Sequence, residues 1–180
     1  VVKKPAHIIG WSDGGNIGLL AAIKRPDLIK SLVGIGMNYT YDAGLSFDLN
    51  TVEASEEEIA NFVKMTKQDP KLLLEIKQKA FKVWATEPKL KLSKLKKIKC
   101  PVLVLAGDDE PFSTDHTVSL YESIPNAQLA IVPGTSHAVL KEKPELVKKI
   151  LQDFYRNPSF PMTLNPNRRL KETLRMSGQA

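Results

Sequence analysis

A serine lies between two glycines near the start of the chain, in the pentapeptide Gly10-Trp11-Ser12-Asp13-Gly14. A short apolar run precedes it and is typical of a buried strand, and a helical pattern of apolar residues follows it. Gly-x-Ser-x-Gly between a strand and a helix indicates a nucleophile elbow, in which a strained turn exposes the serine hydroxyl. We expect side chains at Gly10 and Gly14 to clash in so sharp a turn. The alternative is a turn whose serine only caps the helix.

A nucleophilic serine needs a base that accepts its proton and an acid that orients the base. Of the three histidines, His7 lies inside the first predicted strand, where a core or surface role is favoured. His116 lies at the start of a predicted helix, where a capping or solvated role is favoured. His137 follows the last predicted strand, and open α/β sheets carry their chemistry in loops at the carboxyl ends of strands. We therefore predict that His137 is the base.

The acid is expected between the serine and the histidine in the chain, also directly after a strand. The segment Gly107-Asp108-Asp109-Glu110-Pro111 lies in that position. Three consecutive carboxylates cannot all face one imidazole, so at least two of them belong to a solvated acidic turn. The residues alone leave open which carboxylate faces His137.

Strands and helices alternate in the first and last parts of the chain, and this predicts a parallel sheet covered on both faces. The predicted strands are 6–9, 32–36, 100–106 and 128–132, and the predicted helices are 14–25, 115–124 and 144–155. Between about 38 and 97 no strand-like run occurs, and helical patterns after Ser55 and Asp69 predict a small helical insertion. After Asn157 few apolar residues occur, and we expect a surface-draped or disordered tail.

Composition limits the classes of function. The chain has 180 residues, of which 42% are hydrophobic, enough for the core of one large domain. No stretch approaches the roughly 20 apolar residues of a membrane span, and no secretory signal is visible, which favours the cytoplasm without fixing the compartment. The net charge is +6, but the lysines between Lys64 and Lys99 alternate with apolar residues, as on a solvated helix face. Neither nucleic acid nor a membrane is expected as a partner.

Three segments together resemble the α/β-hydrolase superfamily, specifically the C-terminal part of small esterase-like or lipase-like members. They are 8–15, 101–110 and 127–137, and the resemblance covers about residues 5–155. It implies a catalytic triad of Ser12, His137 and an acid. The family usually has Asp where this chain has Glu110, so Glu110 is the expected acid and Asp109 is the alternative.

The resemblance also implies that the backbone N–H of Asp13 is one oxyanion donor and that no cofactor or metal is needed. No cluster of His, Cys and carboxylate residues has metal-ligand spacing in the sequence. The implied domains are a partial α/β-hydrolase core, 1–37 and 98–157, a helical cap insertion, 38–97, and a basic, proline-containing tail, 158–180. The cap of this family shapes the substrate pocket.

The chain departs from the family pattern at its start, because it begins almost at the nucleophile strand. The strands and the oxyanion loop that precede this strand in the family have no counterpart, which would leave an apolar sheet edge. We expect the chain to be a fragment of a longer hydrolase. A partner chain that covers the edge, such as a second copy in a homo-oligomer, is the alternative.

The sequence therefore predicts a serine hydrolase that acts on a small-molecule carboxylic ester or a related acyl substrate. A non-catalytic α/β-hydrolase-like binding or interaction module is the alternative, because it would explain the missing oxyanion loop and the atypical acid. The serine, acid and histidine together favour the enzyme, since a module without catalysis does not need all three.

Overall fold

The computed structural model describes residues 4–44, 52–159 and 163–168 of the chain. The strands in these residues are β1 (Ala6–Trp11), β2 (Ile29–Ile35), β3 (Val102–Asp109) and β4 (Ala127–Ser136). The helices are α1 (Asp13–Lys24), α2 (Glu56–Thr66), α3 (Lys71–Trp84), α4 (Leu92–Leu95), α5 (Thr114–Ser123), α6 (Val139–Glu142) and α7 (Pro144–Arg156). Within this part of the chain, no helix has the length and apolar character needed to cross a bilayer.

The strands form one four-stranded sheet in the order β1-β2-β3-β4, and each neighbouring pair is parallel. This confirms the predicted α/β class with a parallel sheet. Strands β2 and β3 are buried along most of their length, because helices cover both faces, and they therefore have continuous apolar sequences. Since all strands run in one direction, their carboxyl ends lie along the same side of the sheet.

Two clusters of buried apolar side chains form the core of the sheet region. The first contains Leu19 of α1 and Leu120 of α5, and the second contains Val147 and Phe154 of α7. Adjacent β2 residues enter different clusters, Leu32 the first and Val33 the second, as the two-residue period of a strand requires. The helices α1 and α5 therefore pack on one face of the sheet, and α7 packs on the other.

β1 has a single neighbour in the sheet and forms one of its edges in the described residues. Two apolar side chains of β1 are exposed, Ile9 at 55% and Trp11 at 46%, and His7 of the same strand is exposed as well. Val147 and Leu151 of α7 line an open groove beside Ile9. This edge has the apolar character that the sequence predicts for it.

The chain divides into two compact units, residues 1–39 with 90–180 and residues 40–89. The second unit contains α2 and α3. Ser55 caps α2 in a reciprocal capping box with Glu58, as the sequence pattern indicates. Lys77 of α3 forms an ion pair with Glu58 at 2.8 Å, which links the two helices.

The predicted insertion, 38–97, extends beyond the second unit at both of its ends. At the first end, Asn38 is buried and exchanges hydrogen bonds with Asn16 of α1 at 2.8 and 2.9 Å. At the other end, Leu95 is fully buried in the first core cluster. These contacts belong to the first unit. Residues 45–51 of the predicted insertion lie outside the described residues.

The predicted tail, 158–180, is described in part, and residues 160–162 and 169–180 lie outside the description. The Arg168 guanidinium donates to the carbonyls of Tyr121 at 3.1 Å and Ile124 at 2.9 Å. It also lies 4.2 Å from the centre of the Tyr121 ring. Arg168 therefore satisfies carbonyls at the carboxyl end of α5, where a cation is favourable.

Candidate active site

Ser12 connects β1 to α1 in a backbone conformation with φ of 53° and ψ of −123°. A positive φ in a residue with a Cβ atom costs about 1–3 kcal/mol and is retained where the surrounding structure enforces it. Here the Ser12 N–H donates to the Ile35 carbonyl at 2.8 Å, and the Ser12 carbonyl accepts from Gly15 N at 2.8 Å. The hydroxyl makes no capping bond to α1. The strained elbow is therefore present, and the alternative of a serine that only caps the helix is wrong.

The two glycines of the pentapeptide are required to different degrees. A Cβ atom on Gly10 would lie 2.2 Å from the carbonyl carbon and oxygen of Gly14, so the backbone at Gly10 leaves no room for a side chain. A Cβ atom on Gly14 would meet nothing within 4 Å. The predicted clash is right at Gly10 and wrong at Gly14, whose Cα faces open space. Further along α1, a Cβ atom on Gly15 would lie 2.7 Å from Met37 Cβ, and one on Gly18 would lie 2.4 Å from Leu32 Cδ1.

Asp13 is the first residue of α1 and directly follows Ser12. Backbone N–H groups in the first turn of a helix point out of its N-terminus, where the helix dipole favours negative charge. The predicted oxyanion donor, the Asp13 N–H, is thus at the positive end of α1 and next to the serine.

His137 and Glu110 directly follow the adjacent strands β4 and β3. His137 Nδ1 lies 2.6 Å from Glu110 Oε2. The Glu110 side chain is 3% exposed and the His137 side chain is 30% exposed. Because Nδ1 faces the carboxylate, Nε2 is the ring nitrogen left to exchange a proton with another group.

The other two carboxylates of the acidic turn have different surroundings. Asp109 ends β3 and is exposed. Asp108 accepts a hydrogen bond from the Thr135 N–H at 3.0 Å. The backbone N–H groups of Gly134 and Thr135 hold the pKa of Asp108 below its usual range. The geometry therefore pairs His137 with Glu110, and Asp108 fastens the end of β4, two residues before His137.

Two further side chains, those of Glu142 and Trp11, hold Ser136 and His137 in place, and the sequence gives no signal for either contact. Glu142 accepts hydrogen bonds from the Ser136 N–H at 2.7 Å and from the Ser136 hydroxyl at 2.8 Å. Trp11 Nε1 donates to the His137 carbonyl at 2.9 Å. These contacts join residues that only the folded chain brings together.

Gly36, which follows β2, leaves room for the carboxylate–imidazole pair. Its φ is +57°, and a Cβ atom there would lie 2.8 Å from His137 Nδ1 and 3.1 Å from Glu110 Oε1. His137 thus contacts Glu110 after β3, approaches Gly36 after β2, and is bonded to Trp11 at the end of β1. The segment that carries His137 therefore lies across the carboxyl ends of β1, β2 and β3.

Ser12 and His137 are brought to the same side of the sheet, since Trp11, which is bonded to the His137 carbonyl, is the residue before Ser12. Among the described residues, no hydrogen bond joins Ser12 Oγ to the imidazole. Hydrogen bonds between a nucleophile and its base are often long without substrate and shorten when substrate binds.

The other two histidines, His7 and His116, have hydrogen-bond partners elsewhere in the sheet region. His7 Nδ1 lies 2.7 Å from the hydroxyl oxygen of buried Ser31. His116 is 8% exposed, its Nε2 accepts the Tyr39 N–H at 3.1 Å, and the two rings stack at 4.0 Å. The expected capping or solvated role of His116 is wrong, because its ring is buried against Tyr39.

Cys100 is the one cysteine of the chain. Burial raises the pKa of its thiol, which disfavours the thiolate that would act as a nucleophile or metal ligand. Among the described residues, no group of three or more His, Cys, Asp or Glu side chains is arranged to hold a metal ion.

No protein-family model matches the sequence, and a comparison with curated proteins finds no match. Solved structures do match. MGS-M2, an α/β hydrolase enzyme from a Medee basin deep-sea metagenome library, is 21% identical with a TM-score of 0.62, over 91% of this chain and 68% of that one. A serine hydrolase involved in carbazole degradation, the CarC enzyme, is 20% identical with a TM-score of 0.60, over 87% and 65%. A meta-cleavage product hydrolase from Pseudomonas fluorescens is 17% identical with a TM-score of 0.56, over 85% and 65%.

These likenesses show that the chain has the α/β-hydrolase fold, which confirms the fold implied by the sequence resemblance. The chain spans about 65% of the length of the carbazole-pathway hydrolase and of the meta-cleavage product hydrolase. At such identities the similarity establishes the fold alone. The chemistry is argued from the residues of this chain.

Proposed function

We propose that the chain is a serine hydrolase of the α/β-hydrolase type that acts on a carboxylic ester or a related acyl substrate. The observation that carries the proposal is the contact of 2.6 Å between His137 Nδ1 and the buried Glu110 carboxylate. A carboxylate in this position fixes the orientation of the ring and stabilises the imidazolium that forms when Nε2 accepts a proton. The strained elbow places Ser12 directly after Trp11, whose indole N–H is bonded to the His137 carbonyl. Ser12 is the proposed nucleophile.

In the first half of the reaction, Ser12 Oγ attacks the acyl carbonyl carbon while His137 Nε2 accepts the hydroxyl proton. The electron pair of the carbonyl π bond moves to the oxygen, and the N–H of Asp13 donates to that oxyanion. One such donor typically contributes about 10²–10³-fold in rate. The oxyanion then collapses, the bond between the acyl carbon and the leaving alkoxide breaks, and His137 gives its proton to that alkoxide, which departs as the alcohol.

In the second half, His137 accepts a proton from water, and the hydroxide attacks the acyl carbon of the Ser12 ester. Collapse of the second oxyanion breaks the bond to Ser12 Oγ, which recovers the proton from His137. The products are the carboxylic acid and the free enzyme. Proton transfer of this kind contributes about 10²–10⁴-fold in rate.

We also propose that the chain acts as part of a longer hydrolase. The exposed apolar edge at Ile9 and Trp11, together with the span of about 65% of two similar hydrolases, supports this proposal. Further strands on the edge would bury these side chains and provide a place for a second oxyanion donor. A second copy of the chain on the same edge is the competing arrangement, and light scattering of the purified chain distinguishes a monomer from a dimer.

Hydrolysis of p-nitrophenyl esters with acyl chains of increasing length tests the proposed activity. The expected result is release of p-nitrophenol that is lost in Ser12→Ala and retained in Ser93→Ala, a matched substitution at an exposed serine. Circular dichroism of each variant shows that the chain is folded. Equal rates in the wild type and Ser12→Ala would contradict the proposal. Hydrolysis absent from both the folded chain and the longer hydrolase proposed above would favour the non-catalytic binding module.

A further inference from the structure

Trp11 is the last residue of β1, directly before Ser12, and its side chain is hydrogen-bonded to the backbone of His137. Its indole Nε1–H donates to the His137 carbonyl at 2.9 Å, across 126 positions of sequence. The two rings are 5.4 Å apart between centroids and inclined by 35°. One side chain therefore contacts both the backbone and the ring of the proposed base.

Burial does not account for Trp11, because the residue is 46% exposed. A large aromatic side chain at the surface gains little from the hydrophobic effect at the exposed part of its area. The N–H bond to His137 is its directional contact, and an N–H donor with a matched carbonyl acceptor fixes both distance and angle.

The other contacts described above act on the residues before His137 or on its imidazole, and not on its backbone. Asp108 holds the Thr135 N–H, and Glu142 holds the N–H and hydroxyl of Ser136. Glu110 holds the imidazole from the side of β3. Among these contacts, the Trp11 bond is the one that ties the His137 backbone to β1, the strand directly before Ser12.

We propose that Trp11 is a positioning residue that sets the distance between His137 Nε2 and Ser12 Oγ through the His137 carbonyl. The inference rests on the proposed hydrolase function. Proton transfer requires the two atoms to come within about 2.6–3.2 Å, and a misplacement of about 1 Å costs about 10²-fold in rate. Loss of the indole N–H therefore lowers kcat and leaves KM unchanged.

The test removes the N–H and keeps the shape of the ring. The Trp84→Phe variant has Trp11 as its one tryptophan, since the chain contains two. Expression of this variant in a tryptophan auxotroph supplied with β-(3-benzothienyl)alanine replaces the Trp11 N–H by sulfur. The control is Trp84→Phe itself, because Trp84 lies in α3 of the other unit. Trp11→Phe is the second variant.

The expected result is a fall in kcat of about 10-fold to 10²-fold for p-nitrophenyl ester hydrolysis, with KM within about twofold of the control. Thermal unfolding should occur at the same temperature in the benzothienyl protein and the control. Unchanged kcat would overturn the proposal. A raised KM with unchanged kcat would also overturn it, because Trp11 would then contact substrate rather than position His137.

A readout that does not need activity separates this proposal from the proposed function. NMR titration of the His137 imidazole, identified by its loss in His137→Gln, reports the environment of the ring. The expected result is a displaced His137 resonance in the benzothienyl protein and unchanged His7 and His116 resonances. Hydrolysis that does not depend on Ser12 refutes the proposed function, and an unchanged His137 resonance refutes the positioning role.

Discussion

Glu110 Oε2 and His137 Nδ1 lie 2.6 Å apart because of the register between β3 and β4. Gly107 pairs with Val132, but Asp109 pairs with Ser136, so the register shifts between these two pairs. The residues that follow Asp109 and Ser136 are Glu110 and His137, and the shift therefore places them side by side. An irregularity in a parallel sheet thus determines which carboxylate faces the imidazole.

The choice of Glu110 over Asp109 leads to a direct prediction. Glu110→Gln removes the charge that stabilises the imidazolium, and we expect kcat/KM for ester hydrolysis to fall by about 10²–10⁴-fold. Asp109→Asn alters an exposed carboxylate next to it and should change kcat/KM by less than about threefold. Steady-state kinetics on both variants checks this. A larger loss in Asp109→Asn than in Glu110→Gln would assign the acid to Asp109.

The space at Gly36 is predicted to be necessary for the pair. Gly36→Ala places a Cβ atom 2.8 Å from His137 Nδ1 and also carries the left-handed backbone cost of about 1–2 kcal/mol. Gly134→Ala is the matched control, since φ there is +61° and the nearest atom to its Cβ is Lys143 Nζ at 3.5 Å. We expect the backbone cost in both variants, a further loss of unfolding free energy in Gly36→Ala from the close contact, and a loss of kcat in Gly36→Ala alone. Equal kcat in the two variants would show that the close approach does not matter.

The elbow glycines should respond differently to a methyl group. Gly10→Ala forces a Cβ atom within 2.2 Å of the Gly14 backbone, so we expect the elbow to be displaced and both stability and hydrolysis to fall. Gly14→Ala meets open space, and alanine in a helix is about 1 kcal/mol better than glycine. Thermal unfolding of the two variants should therefore shift in opposite directions. A common direction would contradict the contacts described at the elbow.

The lowered pKa of Asp108 predicts how the stability of the chain depends on pH. Two backbone N–H donors lower its pKa in the folded chain, so its stabilisation is complete above the unfolded pKa of about 3.9 and is lost as pH falls through the lower folded pKa. Asp108→Asn should therefore lower the unfolding temperature at pH 6, and the difference from the wild type should shrink below about pH 4. Scanning calorimetry between pH 6 and pH 3 measures this difference. A difference that grows toward low pH would have the wrong sign.

Much of the fold follows from local pattern. Continuous apolar runs predict buried parallel strands, and the capping box at Ser55 predicts the start of α2. The proposed roles of Ser12 and His137 come from the same patterns, because each follows a strand. Local sequence therefore predicts the strands and the side of the sheet where the proposed site lies.

Other features depend on tertiary contacts that local sequence does not contain. The pairing of His137 with Glu110 needs the register shift between β3 and β4. His116 is buried because Tyr39 stacks on it across 77 positions of sequence. Gly14 has space that depends on the direction of α1 leaving the elbow. The fastening of the loop by Trp11 needs β1 and the loop after β4 to meet.

Labelling with a fluorophosphonate tests the central claim most directly, because the reagent phosphonylates activated serine hydroxyls and reacts slowly with serines that no base activates. The modified residue is located by mass spectrometry in the wild type, Ser12→Ala and His137→Ala. We predict labelling at Ser12 that is absent in Ser12→Ala and strongly reduced in His137→Ala. Labelling of a folded chain at another residue and not at Ser12, or labelling at Ser12 that is equally strong without His137, would contradict the proposed nucleophile and base.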